Sequence, residues 1–339
     1  MADYDMSDIA TALAQNYRPR VIRTFNATSM ALRTLLIVKG AGKNIAWDFE
    51  DSGAYAESYA DGDDVTTYGS DEPAPATLDW ALYRANWRAT NLAVSAAGSS
   101  ASPADLIRLE ARGMQNATRK LTSTLNKAFY NGLGTARLMA GFDLALDDAN
   151  SYAGVNRTNI AAFRAKVIEP GSATAPTFKL IRKDLYDIKD QCGEIPDLAF
   201  VDSSGFLSLA AMFDDLRRFE QDITIQTARG AIVLDASVGK LQIEGCTFIA
   251  DKDATAGKID YINSNYVHIE YLPYPGTDQI ITEEMVMADA DDGYGPMPLG
   301  MNLMALARTG AARKFTMEAQ LNLVVEKPNA CGQRRHLAT

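Results

Sequence analysis

Two histidines, three cysteines and three tryptophans are all that 339 residues hold of these types, and each scarcity closes a line of chemistry. Cys192, Cys246 and Cys331 are scattered without paired spacing, which argues against a zinc module and a disulfide framework and leaves free thiols. His268 lies in the alternating run YVHIEYL as a strand residue, and His336 follows two arginines near the C-terminus. Neither stands near a nucleophile or metal motif. No G-x-S-x-G elbow or H-E-x-x-H pair occurs, so the familiar nucleophilic and zinc arrangements have no support. KGAGKN around Lys43 imitates a phosphate loop, but Ile37 stands where the first glycine belongs and Asn44 replaces the Ser or Thr. The acids Asp61, Asp63, Asp64 and Asp289, Asp291, Asp292 lack the alternate spacing of a calcium loop and read as solvated. Catalysis and cofactors are therefore not expected. There is no basic start with an apolar run behind it and no stretch long enough to span a bilayer, which predicts a protein made and kept in a cytoplasm. The glycosylation patterns at Asn26, Asn116 and Asn156 carry no weight without a leader.

Positive charge is also short, at 33 Lys and Arg against 43 Asp and Glu for a net charge of -10. Reading a nucleic-acid sequence takes clustered cations, so that class drops out, while a mildly repulsive wall around DNA does not. The hydrophobic share of 47% belongs to a folded chain with ample core. No tandem repeat is present.

What the chain does have is an acidic, aromatic projection. NIAWDFEDSGAYAESYADGDD, Asn44 to Asp64, contains no Lys or Arg. Ile45, Trp47 and Phe49 alternate with Asn44, Asp48 and Glu50 as in a strand with one buried face. A second strand-like run, Ala76 to Val94, follows the turn-rich DGDDVTTYGSDEPAP. There Leu78, Trp80 and Leu82 share one parity before Tyr83, Ala85 and Trp87 take the other, which predicts a bulge or strong twist. A hairpin alone is marginal in water, so its aromatic face needs cover. Before it, an extended arm carries Arg18, Arg20 and Arg23 around Pro19.

The clearest helix starts at Ser102 as N-cap with Pro103 in the first position, and stops at Asn131 and Gly132. Leu106, Leu109, Met114, Ala117, Leu121, Leu125 and Ala128 make one apolar stripe, and Arg108, Arg112, Arg119, Lys120 and Lys127 populate the flank. Such a flank is commonly a solvated face, and it is also a natural partner for an acidic hairpin. From Gly141 to about Gly295 helices interleave with strands, as in an α+β domain. One helix is expected from Thr158 through Ile160, Phe163 and Val167, another from Phe178 to Gly193, a third from Ser203 to Arg217. Strands are expected at Asp197 to Val201, Ala231 to Asp235, Leu241 to Ala250, Lys258 to Ile262 and Tyr266 to Leu272. Lys314 to Lys327 then puts Phe315, Met317, Ala319, Leu321, Leu323 and Val325 on odd positions, a long strand with one buried face that ends at Pro328.

This order of segments resembles the major capsid proteins of tailed double-stranded DNA phages, of the Hong Kong 97 type. YAGVNRT at Tyr152 to Thr158 resembles the turn that often opens their axial domain. LIRKDLYDIKDQCGEIPDLAFVDSSGF resembles its succession of helix, Pro-Asp, strand and Asp turn, LQIEGCTFIADKDATAGKIDYINSNYVHIEYL its strand pair and Tyr-Ile-Asn strand, and FTMEAQLNLVVEKPNA the closing strand of the peripheral domain. The resemblance implies an N-terminal arm at 1–43, an extended loop hairpin at 44–97, a peripheral domain with a spine helix at 98–140 and 301–339, and an axial α+β domain at 141–300. It also implies self-assembly into the hexamers and pentamers of an icosahedral shell around DNA, with separate scaffolding and portal proteins and room for a cement protein. On that basis Trp47, Phe49, Tyr55, Tyr59 and Trp80 are expected to find cover between subunits. Asp48, Glu50, Asp51 and Glu57 are expected to face Arg108, Arg112, Arg119 and Lys120 of a neighbour. Crosslinking through a loop lysine, known in some members, is closed because no lysine lies between Lys43 and Lys120. With Met1 retained and few residues before the hairpin, no scaffolding segment is expected to have been removed. Two rival readings are an encapsulin-like compartment shell and an acidic cytoplasmic hydrolase.

Overall fold

The computed structural model describes residues 30–50, 56–61, 64, 67–69, 73–90, 104–135, 137–212, 224–227, 230–233, 241–273, 279–280, 302–306 and 312–338. They divide into two compact units, a smaller one of Leu82–Asn126 and Tyr271–Gln320 and a larger one of Met30–Ala81, Lys127–Glu270 and Leu321–Thr339. The elements begin with α1 (Met30–Thr34), β1 (Leu36–Lys39), β2 (Asn44–Glu50), β3 (Pro73–Asp79), β4 (Ala81–Thr90), α2 (Ala104–Asn131) and α3 (Phe142–Ala145). Next come β5 (Lys166–Ile168), α4 (Phe178–Cys192), β6 (Leu198–Val201), α5 (Ser203–Ala211), β7 (Thr224–Thr227) and β8 (Gly230–Val233). The rest are β9 (Leu241–Ile243), β10 (Cys246–Ala250), β11 (Ile259–Ile262), β12 (Val267–Tyr271), β13 (Gln279–Ile280), β14 (Asn302–Leu306), β15 (Ala312–Val325) and β16 (Gly332–Arg334). Cuts between the units fall inside β4, α2, β12 and β15, not at changes of composition.

In the larger unit a six-stranded mixed sheet runs β5-β16-β11-β6-β10-β9. Strands β6 and β11 are buried at every position, because both faces of the sheet are covered. On one face α4 and α5 pack Ile181, Leu185, Ile188 and Leu209 against Ala199, Val201, Phe248 and Tyr261. On the other, Phe200 meets Phe142 at 5.8 Å and Tyr130 at 6.3 Å. Both ends of α4 are local work: Thr177 Oγ1 accepts from the Leu180 N–H, and Gly193 takes φ 84 while its N–H returns to the Lys189 carbonyl.

Two expectations fail here. No helix forms from Thr158 to Val167, where only a 3-10 turn at Ala161–Phe163 precedes β5. Asn156 Oδ1 accepts from the Thr158 N–H, so an Asx turn occupies the site of the expected cap, and Lys166–Ile168 pairs in parallel with Gly332–Arg334. Pairing with a strand 166 positions away overrides the local pattern. The single strand expected from Leu241 to Ala250 is a hairpin, because Glu244 and Gly245 both take positive φ, 51 and 87, as a two-residue turn demands.

In the smaller unit β14 pairs with β15 antiparallel from Asn302↔Glu318 to Leu306↔Lys314, and β13 pairs with β14. Trp87 stacks on Phe315 at 5.2 Å and lies over Gly113 of α2, where a Cβ would stand 2.5 Å from the indole nitrogen. A mid-helix glycine costs about 1 kcal/mol against alanine, and here the indole requires it. The Thr118 hydroxyl reaches Met317 Sδ at 3.4 Å, and the Thr316 hydroxyl bonds Asn86. Of the expected stripe, Ala117, Leu121 and Leu125 are buried. The side chains of Leu106, Leu109 and Met114, and the start signals Ser102 and Pro103, lie outside the described residues. The stop holds: the Gly132 N–H bonds the Ala128 carbonyl, and Gly132 and Gly141 approach so closely that a Cβ on Gly132 would sit 2.2 Å from the Met139 oxygen.

Strand β15 keeps the expected alternation only from Met317 to Leu321, since Ala312 to Phe315 are all half-buried, Thr316 is buried beside Met317, and Leu321 to Val325 are all buried. It ends ahead of a 3-10 turn at Pro328–Ala330.

Candidate assembly surface

Strands β2 and β3 form an antiparallel ribbon with register Asn44↔Asp79 to Glu50↔Pro73. Period-two geometry puts Ile45, Trp47 and Phe49 on one face with Ala74, Ala76 and Leu78, and Asn44, Ala46, Asp48 and Glu50 on the other with Pro75, Thr77 and Asp79. The first set is buried or half-buried and the second exposed. The solvent face thus shows Asp48, Glu50 and Asp79 with no cation in the ribbon.

The aromatic face meets its own chain. Phe49 stacks on Phe163 at 4.5 Å, Phe163 lies 6.1 Å from Tyr152, and Tyr152 lies 6.3 Å from Trp47. The Trp47 indole N–H donates to the Glu326 carbonyl at 3.3 Å. Trp80 is 3% exposed, donates to the Gly42 carbonyl at 3.2 Å, and sits so close to Gly40 that a Cβ there would be 2.4 Å from the ring. Trp80, expected to find cover between subunits, is covered within the chain, and Trp47 and Phe49 are half-covered in the same way. The reason is local: the phase change falls at Trp80, where Trp80 and Ala81 are consecutive buried residues, so the indole turns inward as the ribbon ends. The same break exposes Leu82, at 50%, which the alternation had placed with the buried set.

Beyond the ribbon Glu57, Tyr59, Asp61, Asp64 and Tyr68 are exposed, the two tyrosines at 78% and 81%. Asp51 and Tyr55 lie outside the described residues. On the helix, Lys120 is exposed and Arg119 half-buried, while Arg108 and Arg112 belong to α2 with side chains outside the described set. The hairpin acids lie in the larger unit, the basic residues Arg108 to Lys120 in the smaller.

Sequence reading missed the buried charges that hold the root of this surface. Arg157 is fully buried, its Nη1 donating to the Leu144 carbonyl at 3.1 Å and to the Asp147 carbonyl, its Nη2 to the Ala145 carbonyl at 2.6 Å. These carbonyls lie at the end of α3 and just past it, so the guanidinium acts as a C-terminal cap. Its carbon lies 5.0 Å from the Tyr152 ring centre, and burial lowers its pKa to about 10. In turn the Tyr152 hydroxyl accepts from the Val325 N–H at 2.9 Å, which ties the aromatic run to β15. Elsewhere in the larger unit Arg334 pairs with Asp184, both buried, and the Tyr261 hydroxyl donates to Asp184 at 3.2 Å. The Arg157 signal was present in YAGVNRT. The pairing of Asp184 with Arg334, 150 residues apart, leaves no trace in spacing.

Among the described residues no group of three or more His, Cys, Asp or Glu is placed to hold a metal ion, and no helix is long and apolar enough to cross a membrane. Burial lowers the pKa of His268, which stands on β12.

The whole arrangement can be set beside solved structures. A chain of the capsid asymmetric unit of cyanophage A-1(L) matches with a TM-score of 0.74 at 14% identity, over 97% of this chain and 98% of that one. The chain has the Hong Kong 97-type capsid fold. The capsid of a native GTA particle shows this fold with a TM-score of 0.60 at 12% identity, over 96% of this chain and 99% of that one. The encapsulin of the holo-SrpI complex from Synechococcus elongatus PCC 7942 follows with 0.57 at 12% identity, over 99% and 96%. No protein-family model matches the sequence, and no curated protein does.

Proposed function

We propose that this chain is the major capsid protein of a tailed double-stranded DNA phage, assembling in the host cytoplasm into the icosahedral shell of the virion. The observation that carries this reading is the likeness to the cyanophage capsid chain across almost the full length of both. Assembly is then the function, without catalysis. The exposed acids Asp48, Glu50 and Glu57 and the exposed Tyr59 meet the basic flank Arg108, Arg112, Arg119 and Lys120 of a neighbouring copy. Charge complementarity sets register and encounter rate there, and buried aromatic area sets affinity. Scaffolding, portal and cement proteins are separate chains, and the net charge of -10 keeps packaged DNA from adhering to the wall.

The test is electron microscopy and sedimentation of the expressed protein, alone and with its scaffold. Closed particles are the expected result, and a stable monomer under every condition overturns the reading. Reversing Arg119 and Lys120 to glutamate together should suppress particles, and adding Asp48→Lys with Glu50→Lys should restore some of them. Absence of any such coupling refutes the pairing.

A compartment shell is the second reading, favoured by the likeness to the Synechococcus encapsulin. Particles purified from the native source that carry an enzyme and no DNA would decide for it.

A further inference from the structure

In the larger unit the C-terminal strand β16 is inserted between β5 and β11, and all three of its residues are buried. Its middle residue, Gln333, stands directly opposite Asp260 of β11. The Gln333 amide nitrogen donates to two carboxylates at once, Asp260 Oδ1 at 2.8 Å and Asp143 Oδ1 of α3 at 3.0 Å. Asp143 has its own cation, Lys258 at 2.6 Å. Arg335 donates through Nε to Gln333 Oε1 at 2.8 Å, and its two terminal nitrogens are committed to Asp147 and Glu169. Asp260, 2% exposed, has no cation within ion-pair distance among the described residues. From α2, Tyr130 also faces it, and Asp260 is one of the acids that raise the Tyr130 pKa. Two acids, one of them buried, thus meet one buried amide, and the buried acid is the one without a cation.

We propose that Asp260, Gln333 and Asp143 form a proton-operated clasp on the C-terminal strand: with Asp260 neutral, β16 is locked between β5 and β11, and ionisation of Asp260 loosens it. Burial, with Asp143 adding to it, raises the Asp260 pKa to about 7, and the Gln333 hydrogen bond, Lys258 and Arg335 pull it back without cancelling it. When β16 opens, the carboxyl returns to the ordinary range near 4. The closed state therefore binds the extra proton, and its advantage is complete below about pH 4, falls as pH rises from there to about 7, and is constant above.

Hydrogen exchange on the full chain tests this. After correction for intrinsic exchange, protection of the Gly332, Gln333 and Arg334 amides should fall at least tenfold from pH 5 to pH 7.5. In Asp260→Asn, which keeps the oxygen that Gln333 bonds and carries no charge, the fall should be less than threefold. Asp184 also touches β16 through Arg334, and its titration persists in that variant, so the difference between the two proteins isolates Asp260. Equal pH dependence in both, or none in the wild type, overturns the clasp. Should Asp260→Asn fail to fold, Asp143→Asn must shift the wild-type transition to lower pH and Lys258→Met to higher pH. A shift of both in one direction, or of neither, refutes it equally.

Discussion

Replacing Arg157 with alanine should destabilise the larger unit by about 4 kcal/mol. Its guanidinium donates to the carbonyls of Leu144, Ala145 and Asp147, and a hydrogen bond from a charged donor contributes roughly 2 kcal/mol. The cation also lies over the Tyr152 ring, an interaction of about 1 kcal/mol when shielded from water. Against these gains stands the cost of burial, which lowers the pKa to about 10, or about 3 kcal/mol at neutral pH. Truncation recovers that cost but leaves three carbonyls without their donor and a void beside Tyr152, so the loss wins. Urea unfolding of the unassembled protein, followed by tryptophan emission, reports on the site because Trp47 lies 6.3 Å from Tyr152. Arg157→Lys should recover less than half of the loss, since one ammonium cannot span three carbonyls in the same plane. An alanine variant within 1 kcal/mol of the wild type would refute the capping role.

Phe49→Ala should cost about 2 kcal/mol in the same assay by unstacking Phe163, whereas Tyr59→Ala should leave the unassembled protein unchanged and reduce particle yield. The opposite pattern would reverse the roles assigned to the two aromatics. Asp184→Asn should cost about 3 kcal/mol by leaving Arg334 buried without its counter-charge, read as a lower urea midpoint; an unchanged midpoint would show the pair to be dispensable.

Periodicity and punctuation made much of the fold legible. Helix α4 is readable to the residue because Thr177 and Gly193 close it with their own backbone and side chain, and α2 ends at Asn131 because two glycines follow that allow a close return of the chain. Strand β2 was readable because only one parity is apolar, whereas Pro73 to Pro75 of β3 read as turn and the run from Ala76 to Val94 is divided at Trp80 between β3 and β4. The failures have different causes. Lys166–Ile168 is a strand because β16 lies beside it, a partner 166 positions away that no pattern of neighbours registers. The turn at Glu244 and Gly245 is local, two residues between the paired Ile243 and Cys246, and its positive φ at Glu244 is uncommon for a residue other than glycine.

Composition alone determined that this is a folded, acidic chain with few groups for catalysis, and alternation alone determined which face of the hairpin is apolar. Only the tertiary structure decided what covers that face: Tyr152, Phe163 and the Glu326 carbonyl take Trp47 and Phe49, and Gly42 takes Trp80. Apolar patterning states that a surface must be removed from water and is silent on which surface removes it, because burial has no direction along the chain. The buried charges were silent for the same reason, since Arg157, Arg334 and Asp260 acquire their meaning from carbonyls and carboxylates that folding brings to them.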